Sequence, residues 1–348
     1  MLLFEKTMAE QGNGTSGNDG RVQYDAEQAI VQDFIEATAV AGVRADQLSL
    51  LNFYAALKSR PFLLLAAPAQ TGKVALVHSL AQVIASGAAG QYHTMVGHAR
   101  WASGSQNVSE FVEAQARFNT SKLLTLIEEA VRPENRNRLY IVCLTNISPA
   151  ELHTLFSVPG WQMWPDMEPI PYPPNLRLIG TMDTDRFHWW DSDLLSHTIV
   201  VPWAGEKMRL SGVSPKQPDT QRARPFLHSC VRTEQTAFAR LRRNLHGQRQ
   251  AFAPLVQVMD ILHKEDIHLP QMVMNQAIVF LANAWTVEDQ GLFASASEEN
   301  LDIALDLALA QVVLPWLAAD GRIDPARHRL TRLLAERFQQ AATFLQTL

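Results

Sequence analysis

The feature that most restricts how this chain can fold is the run Phe62-Leu63-Leu64-Leu65-Ala66-Ala67, uninterrupted by any polar residue and held between Pro61 and Pro68. A strand with one wet face alternates apolar and polar side chains. An unbroken run is buried on both faces, as strands are inside a parallel sheet. Parallel strands need crossovers, usually helices, and the sequence supplies them. Strand-like stretches at residues 92–96, 139–144, 176–182 and 198–201 alternate with helix-like periodicity at 74–86, 109–131 and 149–156. The expectation is a three-layer α/β sandwich around a mostly parallel sheet.

Ahead of the run, Ile30, Phe34, Ala37 and Val40, then Leu48, Leu51, Phe53 and Leu57, recur at three to four residues and predict two amphipathic helices. Beyond Trp203 the pattern is helical throughout, at 233–247, 253–263, 272–286, 298–317 and 325–345. A chain of 348 residues exceeds the roughly 250–300 residues at which single cores stop growing. The division expected is a flexible tail at 1–20, an α/β core at 21–205, a linker at 206–225 and a helical domain at 226–348. A formal charge of -5 gives no overall attraction to nucleic acid or acidic membranes. Cys143 and Cys230 are the only cysteines, which argues against a disulfide framework or a cysteine zinc site and fits a reducing compartment. The opening MLLFEKTMAEQ lacks an apolar core of signal-peptide length. The run at 62–67 is also far shorter than the roughly 20 residues of a bilayer crossing. A cytoplasmic protein with no membrane span is therefore expected.

Directly after the run comes Ala67-Pro68-Ala69-Gln70-Thr71-Gly72-Lys73-Val74. The phosphate-binding pattern is Gly, four residues, Gly, Lys, then Ser or Thr, and half of it is intact. Gly72 and Lys73 stand where backbone amides and an ammonium cradle β- and γ-phosphates at a helix N-terminus. Thr71, Gly72, Lys73 and Val74 are the candidate cofactor-binding residues. Ala67 replaces the first glycine, and Val74 replaces the hydroxyl that ligates magnesium. Alone, Gly-Lys fits an ordinary strand-to-helix turn equally well.

Further segments extend the pattern in order: FLLLAAPAQTGKV at 62–74, YHTMVGHARWASG at 92–104, RLYIVCLTNISPAEL at 138–152, NLRLIGTMDTD at 175–185 and ALAQVVLPWLAADG at 308–321. In these the chain resembles the AAA+ motor subunit of McrB-type modification-dependent restriction systems and its relatives in bacterial defence. The resemblance implies a P-loop NTPase core with a C-terminal all-helical lid. NLRLIGTMDTD is similar to the family's sensor strand and carries the most specific likeness.

The departures all remove chemistry. Cys143-Leu144-Thr145 stands where the family ends a strand in Asp-Glu, the pair that holds magnesium and polarises water. Asp183 occupies the sensor position, where the resemblance implies Asn. Residues 191–197 contain no arginine finger, and Gln271-Met272-Val273-Met274-Asn275-Gln276 contains no second sensor cation. No catalytic residue is assigned. The resemblance implies at most weak binding of ATP or GTP, with magnesium short of ligands. It further implies a structural or regulatory subunit that joins an active AAA+ subunit or effector in a homo- or hetero-oligomer, in defence or mobile-element biology. A divergent active NTPase is the alternative.

A third reading, a nucleic-acid-binding adaptor, rests on the basic stretch from Arg222 to Arg249. There Phe238, Leu241 and Leu245 mark the buried stripe of a helix, leaving Arg240 and Arg243 to solvent beside Arg242. A solvated face explains the same charges. No metal site is expected, because His98 and His188 each stand alone in their segments. Trp189-Trp190 fits either core packing or an aromatic anchor for a partner.

Overall fold

The computed structural model describes residues 26–85, 90–97, 121–147, 173–185, 195, 198–207, 222–246, 252–321, 323–335 and 337–347. The expected tail at 1–20, the helix at 149–156, Trp189-Trp190, His98, His188, Arg249 and nearly all of 191–197 lie outside the described residues.

Two helices lead into the sheet as expected, α1 (Ala26–Val40) and α2 (Gln47–Ser59), separated by a short strand β1 (Val43–Arg44). Asp46 caps α2, its carboxylate accepting from the Ser49 amide at 2.7 Å and from the Ser49 hydroxyl at 2.7 Å. The apolar run becomes β2 (Phe62–Ala67), followed by α3 (Lys73–Ile84) and β3 (Tyr92–Val96). A helix at 121–130 (α4), then β4 (Tyr140–Thr145), β5 (Leu176–Asp183) and β6 (Ile199–Pro202) complete the alternation.

These strands form one five-stranded sheet in the order β3-β4-β5-β2-β6, and every pairing in it is parallel. β2 is thus central, and β5 lies between it and β4. All the strands point the same way, so the ends of β2, β4 and β5 open on one edge of the sheet.

The expected linker at 206–225 holds ordered structure at both ends. Glu206–Lys207 form β7, antiparallel to β1, and Ala223–Ser229 form α5. The helical region continues with α6 (Glu234–Asn244), α7 (Ala253–Lys264), α8 (Gln271–Ala282), α9 (Ser297–Ala308), α10 (Leu314–Ala319), α11 (Ile323–Ala335) and α12 (Gln339–Thr347). The single helix expected over 325–345 is therefore two.

Between α9 and α10 the turn Leu309–Val313 is π-helical, with the Leu314 amide donating to Leu309 O. Pro315 explains the slip: its nitrogen carries no hydrogen for the carbonyl four residues back, so the ladder skips a residue beside it. The whole stretch Ser297–Ala319 is 23 residues long and apolar enough to cross a membrane by length and composition. The sequence reading passed over it. Its most apolar window is 72% buried within the fold, the pattern of a core helix.

The helical region and the sheet share one hydrophobic cluster. A buried polar knot also joins them. Lys58 Nζ lies 2.8 Å from Glu27 Oε1 and donates to Trp285 O at 2.7 Å. Glu27 accepts further from Ser229 Oγ at 3.0 Å and from the Val287 amide at 2.9 Å. Both charges are fully buried, and these partners answer them.

Candidate functional site

The loop between β2 and α3 is shaped by two residues in the left-handed region, Gln70 at φ 64° and Gly72 at φ 83°. Gly72 is required twice over. Side chains avoid that φ, and a Cβ there would sit 3.1 Å from Val43 Cγ2 and 3.5 Å from Lys207 Cβ. The small β1–β7 ribbon therefore presses on the loop from outside. Thr71 donates from its hydroxyl to Pro68 O at 3.1 Å, and Trp203 Nε1 donates to Thr71 O at 2.9 Å. The loop ends at the amino terminus of α3, where amides without intrahelical acceptors and the helix dipole favour an anion.

Lys73 does not reach out of this loop. It is only 7% exposed, and its ammonium donates to Ala67 O at 2.8 Å and Pro68 O at 2.5 Å, with Thr71 Oγ1 at 3.4 Å. Burial lowers its pKa, while the charges of Asp183 and Asp185 act to raise it. Asp183 is the register partner of Ala67 across the sheet. Its Oδ1 accepts from the Asp185 amide at 3.1 Å, and Thr184 N donates to Ala67 O at 3.1 Å. Lys73 and Asp183 thus lie on one edge of the sheet. An incoming phosphate would have to displace the lysine from the loop's own carbonyls and approach two carboxylates. Val74, one residue on, turns its isopropyl group toward solvent at 39% exposure.

The end of β4 is packed with uncharged side chains. Cys143 and Leu144 are buried, and the Cys143 thiol, hydrogen-bonded to Tyr92, is pushed up to about 12 by burial. Thr145 O accepts from Gly97 N at 2.7 Å, and Asn146 N donates to Thr181 Oγ1 at 3.0 Å. No carboxylate lies on this strand tip. Neither the Val74 nor the Leu144 side chain offers a lone pair to a magnesium ion, and the carboxylates on this edge are Asp183 and Asp185, beside Lys73.

Beside the end of β2 opens a cleft of about 660 Å³ whose wall includes Asn52, Pro68, Thr184, Trp203, Gln311 and Phe344. Gln311, on the π turn, is 1% exposed with neither end of its amide bonded, and Asn52 Oδ1 is likewise buried without a partner. Sequence reasoning missed these residues, which come from three distant parts of the chain. Pro315 inside an apolar helical run was the only available signal, because such a proline disturbs the preceding turn.

The basic helix α6 differs from expectation. Arg240, expected at the surface, is 7% exposed, its Nη1 donating to Ser229 O at 2.8 Å and its Nη2 to Thr286 O. Arg243 is exposed but ion-paired to Asp289, Nε to Oδ2 at 2.6 Å, with Arg240 Nε at 3.4 Å from the same carboxylate. Arg242 is half-buried. The turn after α8 covers the helix face that local spacing assigned to solvent. Among the described residues no group of three or more His, Cys, Asp or Glu could hold a metal ion. No protein-family model and no curated protein matches this chain.

Proposed function

We propose that this chain is a catalytically degenerate AAA+ ATPase-like subunit, of the McrB type that its segments resemble, and that it serves a larger complex as a structural or regulatory component. The observation that carries the reading is the state of the loop. Lys73 is held by the carbonyls of Ala67 and Pro68, beside a Val74 and a β4 tip that supply no metal ligand and no group to polarise water. Phosphoryl transfer depends almost wholly on such positioning and charge compensation.

The arrangement of the strands supports the family side of the reading. The phosphate-loop strand β2, the sensor-like strand β5 and the strand β4 lie side by side with their ends on one edge. The loop's glycine and lysine keep their places at the head of α3. In this reading the fold persists for assembly, as homo- or hetero-oligomer, and an active AAA+ subunit or effector supplies the turnover. The adaptor reading loses Arg240, whose guanidinium is committed to the interior.

Titration of the purified chain with fluorescent ATP and GTP analogues, with and without magnesium, tests the proposal. Binding is expected to be weak and to change by less than about threefold on adding magnesium, because neither Val74 at the head of α3 nor the β4 tip gives the metal a side-chain ligand. Tight binding that requires magnesium and disappears in Lys73→Ala would contradict it.

A further inference from the structure

We propose that the cavity at the opposite, amino-terminal edge of the sheet binds a small anionic ligand through a phosphate or carboxylate group, and that Arg60 is the residue that pairs with it. The cavity is about 570 Å³, and its wall includes Lys58, Arg60, Arg177, Arg232, Glu234 and Gln276. Arg60 follows the last residue of α2, two positions before β2, and Arg177 lies near the start of β5, so the site is separated from the phosphate loop by the length of the strands.

The case rests on Arg60 and Arg177, which have no counter-ion among the described residues. Lys58 is matched by Glu27 at 2.8 Å. Arg177, 2% exposed, uses its guanidinium entirely on neutral acceptors: Leu57 O at 2.8 Å, Pro174 O at 2.9 Å, Leu176 O at 3.0 Å and Cys230 Sγ at 3.2 Å. Its guanidinium carbon also lies 5.5 Å from the centre of the Phe226 ring. Arg60 is mostly buried, with no carboxylate paired to it among the described residues, and burial brings its pKa down to about 10. Arg232, at the exposed mouth, donates to Pro174 O. Among the described residues Glu234 is the only acidic one in a wall that holds the guanidinium groups of Arg60 and Arg177. Desolvated like charges in one cavity are unfavourable unless an anion joins them, and the arginine fork suits carboxylate and phosphate oxygens alike.

Thermal unfolding of the full chain in phosphate, in citrate and in chloride at matched ionic strength tests the proposal, beside Arg60→Gln and Lys73→Ala. A saturable rise of about 4 °C is expected at roughly a hundredfold excess over the dissociation constant. It should occur in phosphate, citrate or both, be absent in chloride, persist in Lys73→Ala and vanish in Arg60→Gln. Response to phosphate alone indicates a phosphate-bearing ligand, and response to citrate alone a polycarboxylate. In chloride, Arg60→Gln should melt above the wild type, since it removes an uncompensated buried charge. Both anions also stabilise proteins non-specifically, so a rise that never saturates, or one equal in Arg60→Gln, overturns the proposal. Retention by Arg60→Gln with loss in Lys73→Ala would overturn it too, by assigning the anion to the phosphate loop. Calorimetric titration of the wild type with phosphate and citrate gives an independent reading: one site per chain supports the inference, and no heat with either refutes it.

Discussion

Cys143 lies near the tip of β4, where its thiol is fully buried. Burial holds the folded-state pKa at about 12, against 9.0 for the ordinary thiol. Between those values the folded chain keeps a proton that the unfolded chain has lost. The contribution to stability is therefore full below pH 9 and disappears as pH rises toward 12. Denaturant unfolding of wild type and Cys143→Ala at pH 8 and pH 11 should show the wild type losing its advantage by about 1.4 kcal/mol per pH unit above 9. Equal losses in the two proteins would mean that the thiol is solvated. At this scale the sequence was informative wherever function depends on neighbours in the chain. Thr71, Gly72, Lys73 and Val74 are consecutive and run from the end of the loop into the first turn of α3. Arg240 was misread for the converse reason: the carbonyl and carboxylate it meets belong to Thr286 and Asp289, and no helical periodicity within α6 announces them.

Among the elements, α9 and α12 show how a helix boundary is set from a distance. Asp306 on α9 accepts from the amides of Gln340 at 3.0 Å and Ala341 at 2.8 Å, so it caps α12 from another helix. Burial raises the pKa of its carboxyl and the backbone hydrogen bonds pull it back. The acceptor therefore matters more than the charge. Asp306→Ala should cost about 1 kcal/mol in thermal unfolding, whereas Asp306→Asn, which keeps one of the two accepting oxygens and turns an NH2 donor toward the other amide, should recover only part of that. If both cost the same, the cap is electrostatic instead. The apolar spacing of 325–345 continues through Phe338 without a break, which is why one helix was expected. The chain stops instead where Phe338 N closes on Leu334 O at 2.7 Å and Asp306 takes over the next amides. The π turn was equally hidden, since Pro315 marked a disturbance but not its kind.

For the molecule as a whole, the α/β alternation was legible because each strand is a compact apolar run and each crossover has helical spacing. The order β3-β4-β5-β2-β6 was not, because it depends on which edges meet in space. The same limit applies to the sites. The eroded loop could be read from the sequence, while the cleft beside it and the arginine-lined cavity at the other edge are assembled across α2, the sheet and the C-terminal helices. At this scale the molecule is a parallel α/β sheet whose loop lysine is turned inward and whose β4 tip is packed with uncharged side chains; the proposal is that such a chain does not turn over nucleotide. Steady-state phosphate release from ATP and GTP with magnesium, by the purified chain and by Lys73→Ala, tests that claim most directly. The account predicts release no faster than spontaneous hydrolysis and identical in the two proteins; turnover by the wild type that is lost in Lys73→Ala would contradict it.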